Sequence, residues 1–255
     1  MFNRPLHKQP FPLPEGITLP EHAQLPFENV YHSPGENAAI RFFDPNSKED
    51  LFAVRAILQS KQVKKWMDDT RQVSESEYRE WAGTESDTSF LFAIHDSRKT
   101  DPEETKFLRG FIYFYSEREE KFRVRRMEKQ GFLQTALGQR YVLEVSFAAR
   151  PLQDGPESGS GLMSSALRQS CLQVKMLLDS PQKPVVELFA MVDVENMGGQ
   201  RTLEASGFEK KGQMKYDWDS PVESYLYFLN WELLQNKIRQ KLLASLPVQE
   251  SNHAV

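Results

Sequence analysis

The sequence predicts a mixed α/β fold, and three observations lead there. Strand-like and helix-like stretches alternate from Tyr141 to Trp218. Val185–Val192 is a nearly continuous apolar run, as a strand buried on both faces requires. A single cysteine, Cys171, in 255 residues rules out an internal disulfide framework and any multi-cysteine zinc site, so a packed core must carry the fold. At 29.5 kDa the chain is long enough for such a core. No apolar run approaches the roughly 20 residues of a membrane span, and the N-terminus lacks the apolar stretch of a signal peptide. A net charge of -4 and a pI near 5.8 argue against binding nucleic acid by phosphate neutralisation. The expectation is a cytoplasmic protein with neither nucleic-acid nor membrane partners.

Seven of the 15 prolines fall before residue 35, which excludes a helix or central strand there. Residues 1–36 therefore read as an extended arm, disordered or laid along the surface. Ala38–Phe43 is a short strand. Asp44 or Ser47 offers an N-cap to a helix striped by Leu51, Val54, Ile57 and Leu58. Val63–Met67 continues at helical spacing, and Ser74–Trp81 reads as another short helix. Phe90–Ile94 and Phe107–Tyr115 read as strands joined by a polar, proline-containing loop. The stretch 117–139 carries many charges of both signs and reads as an inserted helix with a solvated face.

Tyr141–Ala149 is a strand with Glu144, Ser146 and Ala148 on one face and Leu143, Val145 and Phe147 on the other. Leu162–Leu178 is a strong helix. Met197–Ser206 is a helix ended by Gly207, and Phe208–Trp218 is the final strand. Pro221 opens a long apolar helix from Val222 to Leu246, striped by Tyr225, Leu226, Leu229, Leu233, Ile238, Leu242 and Leu246. The domain reading is an arm at 1–36, a core at 37–219 with the insert at 117–139, a C-terminal helix at 220–246 and a tail at 247–255. A helix so apolar packs on its own sheet or on a second subunit, so monomer and homodimer both stand.

The strand ending at Ala149 leads through a glycine-rich segment, Ser158-Gly159-Ser160-Gly161, into the helix that starts Leu162-Met163. Glycines allow close backbone approach, and the first turn of a helix presents unpaired N–H groups and a positive dipole end. Together they suit a phosphate or pyrophosphate; the same residues also make a plain helix entry.

Leu143-Glu144-Val145-Ser146-Phe147-Ala148-Ala149-Arg150-Pro151 resembles the fourth strand of the GNAT N-acetyltransferases, in particular their RimJ/RimL-like branch. Downstream, Asn196 is followed 11 residues on by Gly207-Phe208, a spacing the family shares. Upstream, Ala39-Ile40-Arg41, Glu49-Asp50-Leu51 and Val63-Lys64-Lys65-Trp66-Met67 resemble its first strand and first helices. The resemblance spans residues 38–218. It implies a central, mostly antiparallel mixed sheet, flanked by helices and splayed between its fourth and fifth strands. It further implies acetyl-CoA as co-substrate, its pantetheine arm on the backbone of Phe147, Ala148 and Ala149, its pyrophosphate on Ser158, Gly159, Ser160, Gly161, Leu162 and Met163, and a contact from Asn196. The implied activity is N-acetylation of a primary amine on a small molecule or a protein N-terminus, with Glu144 as general base and no metal. The alternative is a non-catalytic acyl-CoA-binding or protein-interaction module.

Three departures bear on that expectation. Pro156 stands where the family carries Arg or Gln, the segment from Pro151 to Gly159 is longer than usual, and Leu203 occupies the place of a frequent tyrosine acid. Tyr216 is a candidate acid by its neighbouring strand. The five histidines show no metal-ligand spacing, and His95 reads as a surface or loop residue. Cys171 reads as a packed side chain rather than a nucleophile. Trp66 and Trp81 read as packing residues over the substrate cleft.

Overall fold

The computed structural model of the chain describes residues 30–33, 35–67, 89–98, 108–116, 121–133, 140–150, 161–178, 185–215 and 223–245. In chain order the elements are β1 (Ala38–Phe42), α1 (Lys48–Gln59), α2 (Lys61–Lys64), β2 (Phe90–Asp96), β3 (Gly110–Ser116), α3 (Lys121–Lys129), β4 (Arg140–Ala149), α4 (Leu162–Leu178), β5 (Val185–Asp193), α5 (Met197–Ala205), β6 (Phe208–Lys215), β7 (Glu223–Leu229) and α6 (Trp231–Ser245). The predicted helix at 74–81 and the loop residues 151–160 lie outside the described residues.

Seven strands form one sheet in the order β1-β2-β3-β4-β5-β7-β6. Only β4 and β5 pair in parallel; the other neighbours are antiparallel. In-register neighbours share a face, so alternation sorts the side chains into two layers. On one face Ile40, Phe92, Ile94, Ile112, Phe114, Leu143, Val145, Leu188 and Tyr227 meet α4 through Ala166, Leu167, Cys171, Val174 and Leu178. On the other face, α1 covers β1–β3 through Leu51, Val54 and Ile57, and Val124 and Met127 of α3 cover β5–β7. Each fully buried Leu, Ile or Phe contributes about 1.5–3 kcal/mol, so these layers dominate the stability. Ser47 caps α1 by accepting from Asp50 N at 3.2 Å, as its sequence position predicts.

Two of the sequence expectations change. The predicted helix from 222 to 246 is a strand followed by a helix. Glu223–Leu229 is β7, and it lies inside the sheet between β5 and β6. Its sequence, ESYLYFL, is apolar at both parities because both faces are covered: Leu226 and Phe228 meet the α3 side, while Tyr225, Tyr227 and Leu229 meet the α4 side. Asn230 breaks the run and caps α6, accepting from Leu233 N at 3.1 Å. The helix proper then packs within the chain through Leu234, Trp231 and Ile238. Accordingly β6 is an edge strand, not the last one.

The arm boundary at residue 36 also moves. Tyr31 bridges Ile40 with bonds of 2.7 and 2.9 Å, and Glu36 is buried in a bidentate pair with Arg168 of α4 at 2.6 and 2.5 Å. Arg168 also donates to Ala205 O. Residues 31–36 are thereby tied into the domain.

Candidate active site

The site begins where two strands part. The register of β4 with β5 runs from Arg140–Val185 to Glu144–Phe189 and stops. Past that point β4 stays on β3 as far as Ala149–Gly110, and β5 stays on β7 as far as Asp193–Ser224. Val145–Ala149 and Ala190–Asp193 thus line a cleft cut into the sheet.

Which backbone groups face that cleft follows from the ladder. Arg150 N donates to Arg109 O at 2.7 Å. In an antiparallel pair a residue turns its N–H and C=O to the same neighbour, and successive residues alternate. Ser146 and Ala148 therefore turn to β3, and Val145, Phe147 and Ala149 turn the other way: the N–H of Val145 still closes the Glu144–Phe189 pair with β5, while Phe147 and Ala149 meet no β5 partner. This corrects one assignment: of Phe147, Ala148 and Ala149, the backbone of Ala148 is engaged with β3. Its side chain instead packs in the layer beneath α1.

Glu144 stands at the last paired position before the gap and is 2% exposed. It shares its face with Ser146. On this face the layer under α1 ends at Ala148, and the layer under α3 begins at Phe189. Glu144 and Ser146 thus occupy the seam between the two. Tyr115 lies directly across from Glu144, and Tyr113 across from Ser146. Their rings stack at 5.0 Å and 19°, and both are half-buried. Sequence reasoning did not single out these tyrosines, although the alternation in Phe111-Ile112-Tyr113-Phe114-Tyr115 places them on the Glu144 face once β3 and β4 are paired.

Of the predicted pyrophosphate residues, Ser158, Gly159 and Ser160 lie outside the described residues. Gly161, Leu162 and Met163 form the entry to α4. Gly161 has φ +70°, a conformation glycine takes without strain. Its carbonyl accepts from Ser165 N at 2.9 Å and from Ser164 Oγ at 3.2 Å, which opens the helix. Asn196 follows the free end of β5 and caps α5, with Oδ1 accepting from Gly199 N at 2.9 Å. A Cβ at Gly199 would lie 3.1 Å from Val192 Cγ1, so α5 sits hard against the end of β5.

Leu203, at the place of the family's tyrosine, is fully buried in the α4-side core. That position carries no acid, and it does not open to the cleft. Tyr216 and Trp81 lie outside the described residues. Trp66 is half-buried under the Lys65 ammonium, which sits 4.1 Å from its ring centre. His95 is a half-buried residue next to the end of β2, opposite Ala39. Burial pushes the Cys171 thiol well above its ordinary range, so it stays protonated and inert. Among the described residues no group of His, Cys, Asp and Glu could hold a metal ion, and no helix is long and apolar enough to cross a membrane.

No protein-family model matches the chain, and no curated protein matches it. Solved structures do. RimJ of Mycobacterium smegmatis, determined with CoA-disulfide, aligns over 85% of this chain and 93% of its own at 14% identity and a TM-score of 0.54. A GNAT-family acetyltransferase of Bacillus anthracis aligns over 77% and 96% at 17% identity and 0.51. The aminoglycoside acetyltransferase AAC(6')-Ib, determined with coenzyme A and kanamycin, aligns over 78% and 98% at 12% identity and 0.52. The fold of this chain is that of the GNAT acetyltransferases.

Proposed function

We propose that the protein is an N-acetyltransferase that moves an acetyl group from acetyl-CoA to a primary amine of a small molecule or a protein N-terminus. The observation that carries this reading is the cleft between β4 and β5, with the backbone of Phe147 and Ala149 turned into it. An extended acyl-pantetheine arm offers amide groups that can complete that ladder as a strand would. The first turn of α4, with Gly161, Leu162 and Met163, suits the pyrophosphate, and we assign to the Asn196 side-chain amide a contact with the arm at the end of β5. Structural neighbours bind CoA and, in one case, an amine-bearing aminoglycoside.

The residues then divide the chemistry. An amine near pKa 10 arrives as ammonium and must lose a proton to attack. Glu144 accepts that proton, directly or through a water. The amine nitrogen bonds to the thioester carbonyl carbon, and backbone N–H groups at Phe147 and Ala149 stabilise the oxyanion that forms. The C–S bond breaks, the nitrogen gives up its second proton to solvent, and the thiolate takes a proton from solvent, since Leu203 supplies none. The products are an N-acetyl amide and CoA.

A non-catalytic CoA-binding module is the rival, favoured by Leu203 in the core. Incubating the protein with acetyl-CoA and a panel of amines, while following thiol release, separates the two. Amine-dependent release supports the transferase. CoA binding without release under any amine supports the module.

A further inference from the structure

The two faces of the sheet differ at the cleft. On the α4 face, Leu143, Val145, Leu188 and Ala190 are buried in the core beneath that helix. That side is closed, which leaves the opposite face as the approach for an acceptor. There Tyr113 packs at the margin of the layer under α1, and Met191 packs at the margin of the layer under α3. Both are half-buried, as are Tyr115 and Ser146 between them. Glu144 alone in this patch is buried, at 2% exposure. Partly exposed side chains thus surround a buried carboxylate.

The patch has a definite shape. Tyr115 is directly across from Glu144, and Tyr113 is directly across from Ser146. Opposed residues of an antiparallel pair hold their Cβ atoms about 4.5–5.5 Å apart, and strand side chains stand roughly perpendicular to the sheet. The two tyrosines therefore rise beside Glu144 as one flat aromatic wall, with ring centres 5.0 Å apart and planes 19° from parallel. The patch is also sparing in charge. The described strand neighbours of Glu144 on this face, Tyr113, Tyr115, Ser146, Phe189 and Met191, are all uncharged. An acceptor with several ammonium groups calls for several carboxylates, and these strands offer it one beside an aromatic surface.

We infer that the acceptor is a primary amine on a short carbon chain that ends in an aromatic ring, with its nitrogen at Glu144 and its ring along Tyr113 and Tyr115. The inference rests on the transferase reading above and narrows its acceptor. Small arylalkylamines carry this unit, and so does a peptide N-terminus that begins with Phe, Tyr or Trp. An aromatic pair is worth about two- to tenfold beyond the area it buries.

Initial rates of the full chain with acetyl-CoA test it. The acceptors are phenethylamine against cyclohexylethylamine, the peptide Phe-Ala-Ala against Leu-Ala-Ala, and spermidine. In at least one of the two pairs, kcat/KM should favour the aromatic member about two- to tenfold, and the pair that does so names the source. Tyr115→Leu should remove that preference through the acceptor's KM and leave the KM for acetyl-CoA unchanged, while Tyr115→Phe should keep it. The preference is a ratio within one variant, so a general loss of folded protein cancels. If Tyr115→Leu does not fold, the parent's own ratios decide. No aromatic preference in either pair overturns the inference, as does a preference that survives in folded Tyr115→Leu, or a higher kcat/KM for spermidine than for either aromatic acceptor. Absence of amine-dependent thiol release with every acceptor tried would instead overturn the transferase reading beneath it.

Discussion

The role proposed for Glu144 rests on place rather than on type. It is the last residue of β4 to face a β5 partner, buried where two apolar layers meet. Glu144→Gln should keep CoA affinity and lower turnover roughly a hundredfold at neutral pH. The deficit should shrink as pH rises and more amine is already free. Initial rates over a pH series check this; a mutant with the parent's neutral rate would return Glu144 to a structural role. Tyr227 shows burial acting on a core group instead. Burial, with the nearby Glu204 carboxylate, pushes its hydroxyl up to about 12 from an ordinary 10. The unfolded chain ionises first, so the folded state loses this stabilisation as pH climbs from 10 to 12. Alkaline unfolding in that window should be less steep in Tyr227→Phe.

At the scale of elements, β7 is the instructive one. Truncation at Ser220 removes a strand from inside the sheet, together with α6. It leaves β6 without its neighbour and uncovers Phe189 and Ala190 on β5. The truncated chain should be insoluble or unfolded, read by circular dichroism after refolding. A folded product with the parent's melting temperature would contradict the topology. The sequence misled here for a physical reason. Period-2 alternation appears only when one face is wet, and Glu223–Leu229 is covered on both. The same run therefore satisfies a helical stripe, and only Asn230 hints at a break. Where one signal dominated, the reading held: Ser47 as a cap, Leu162–Leu178 as a helix, Gly207 as its neighbour helix's stop with φ +96°. At the site, the strand face shared by Glu144, Ser146 and Ala148 was legible from alternation alone; Tyr113 and Tyr115 were not, since their place depends on which strands pair and in what register.

Across the whole molecule, α4 is the organiser. Its apolar side fills the larger core, and its polar side holds the chain before β1: Gln169 accepts from Ser33 N and donates to Ala38 O, while Arg168 pairs with Glu36. Glu36→Gln leaves a buried guanidinium without its counter-charge and should cost about 3–5 kcal/mol of unfolding free energy. A denaturant midpoint unchanged from the parent would show the pair to be idle. The central claim is that the gap between β4 and β5 is an acyl-CoA cleft. Amide hydrogen exchange, resolved residue by residue by NMR with and without CoA, tests it most directly. The account predicts that CoA slows exchange at Phe147 and Ala149, and leaves Val145, already bonded to β5, and Ser146 and Ala148, already bonded to β3, as they were. CoA binding that protects neither of the two cleft-facing amides, or protects all five alike, would contradict it.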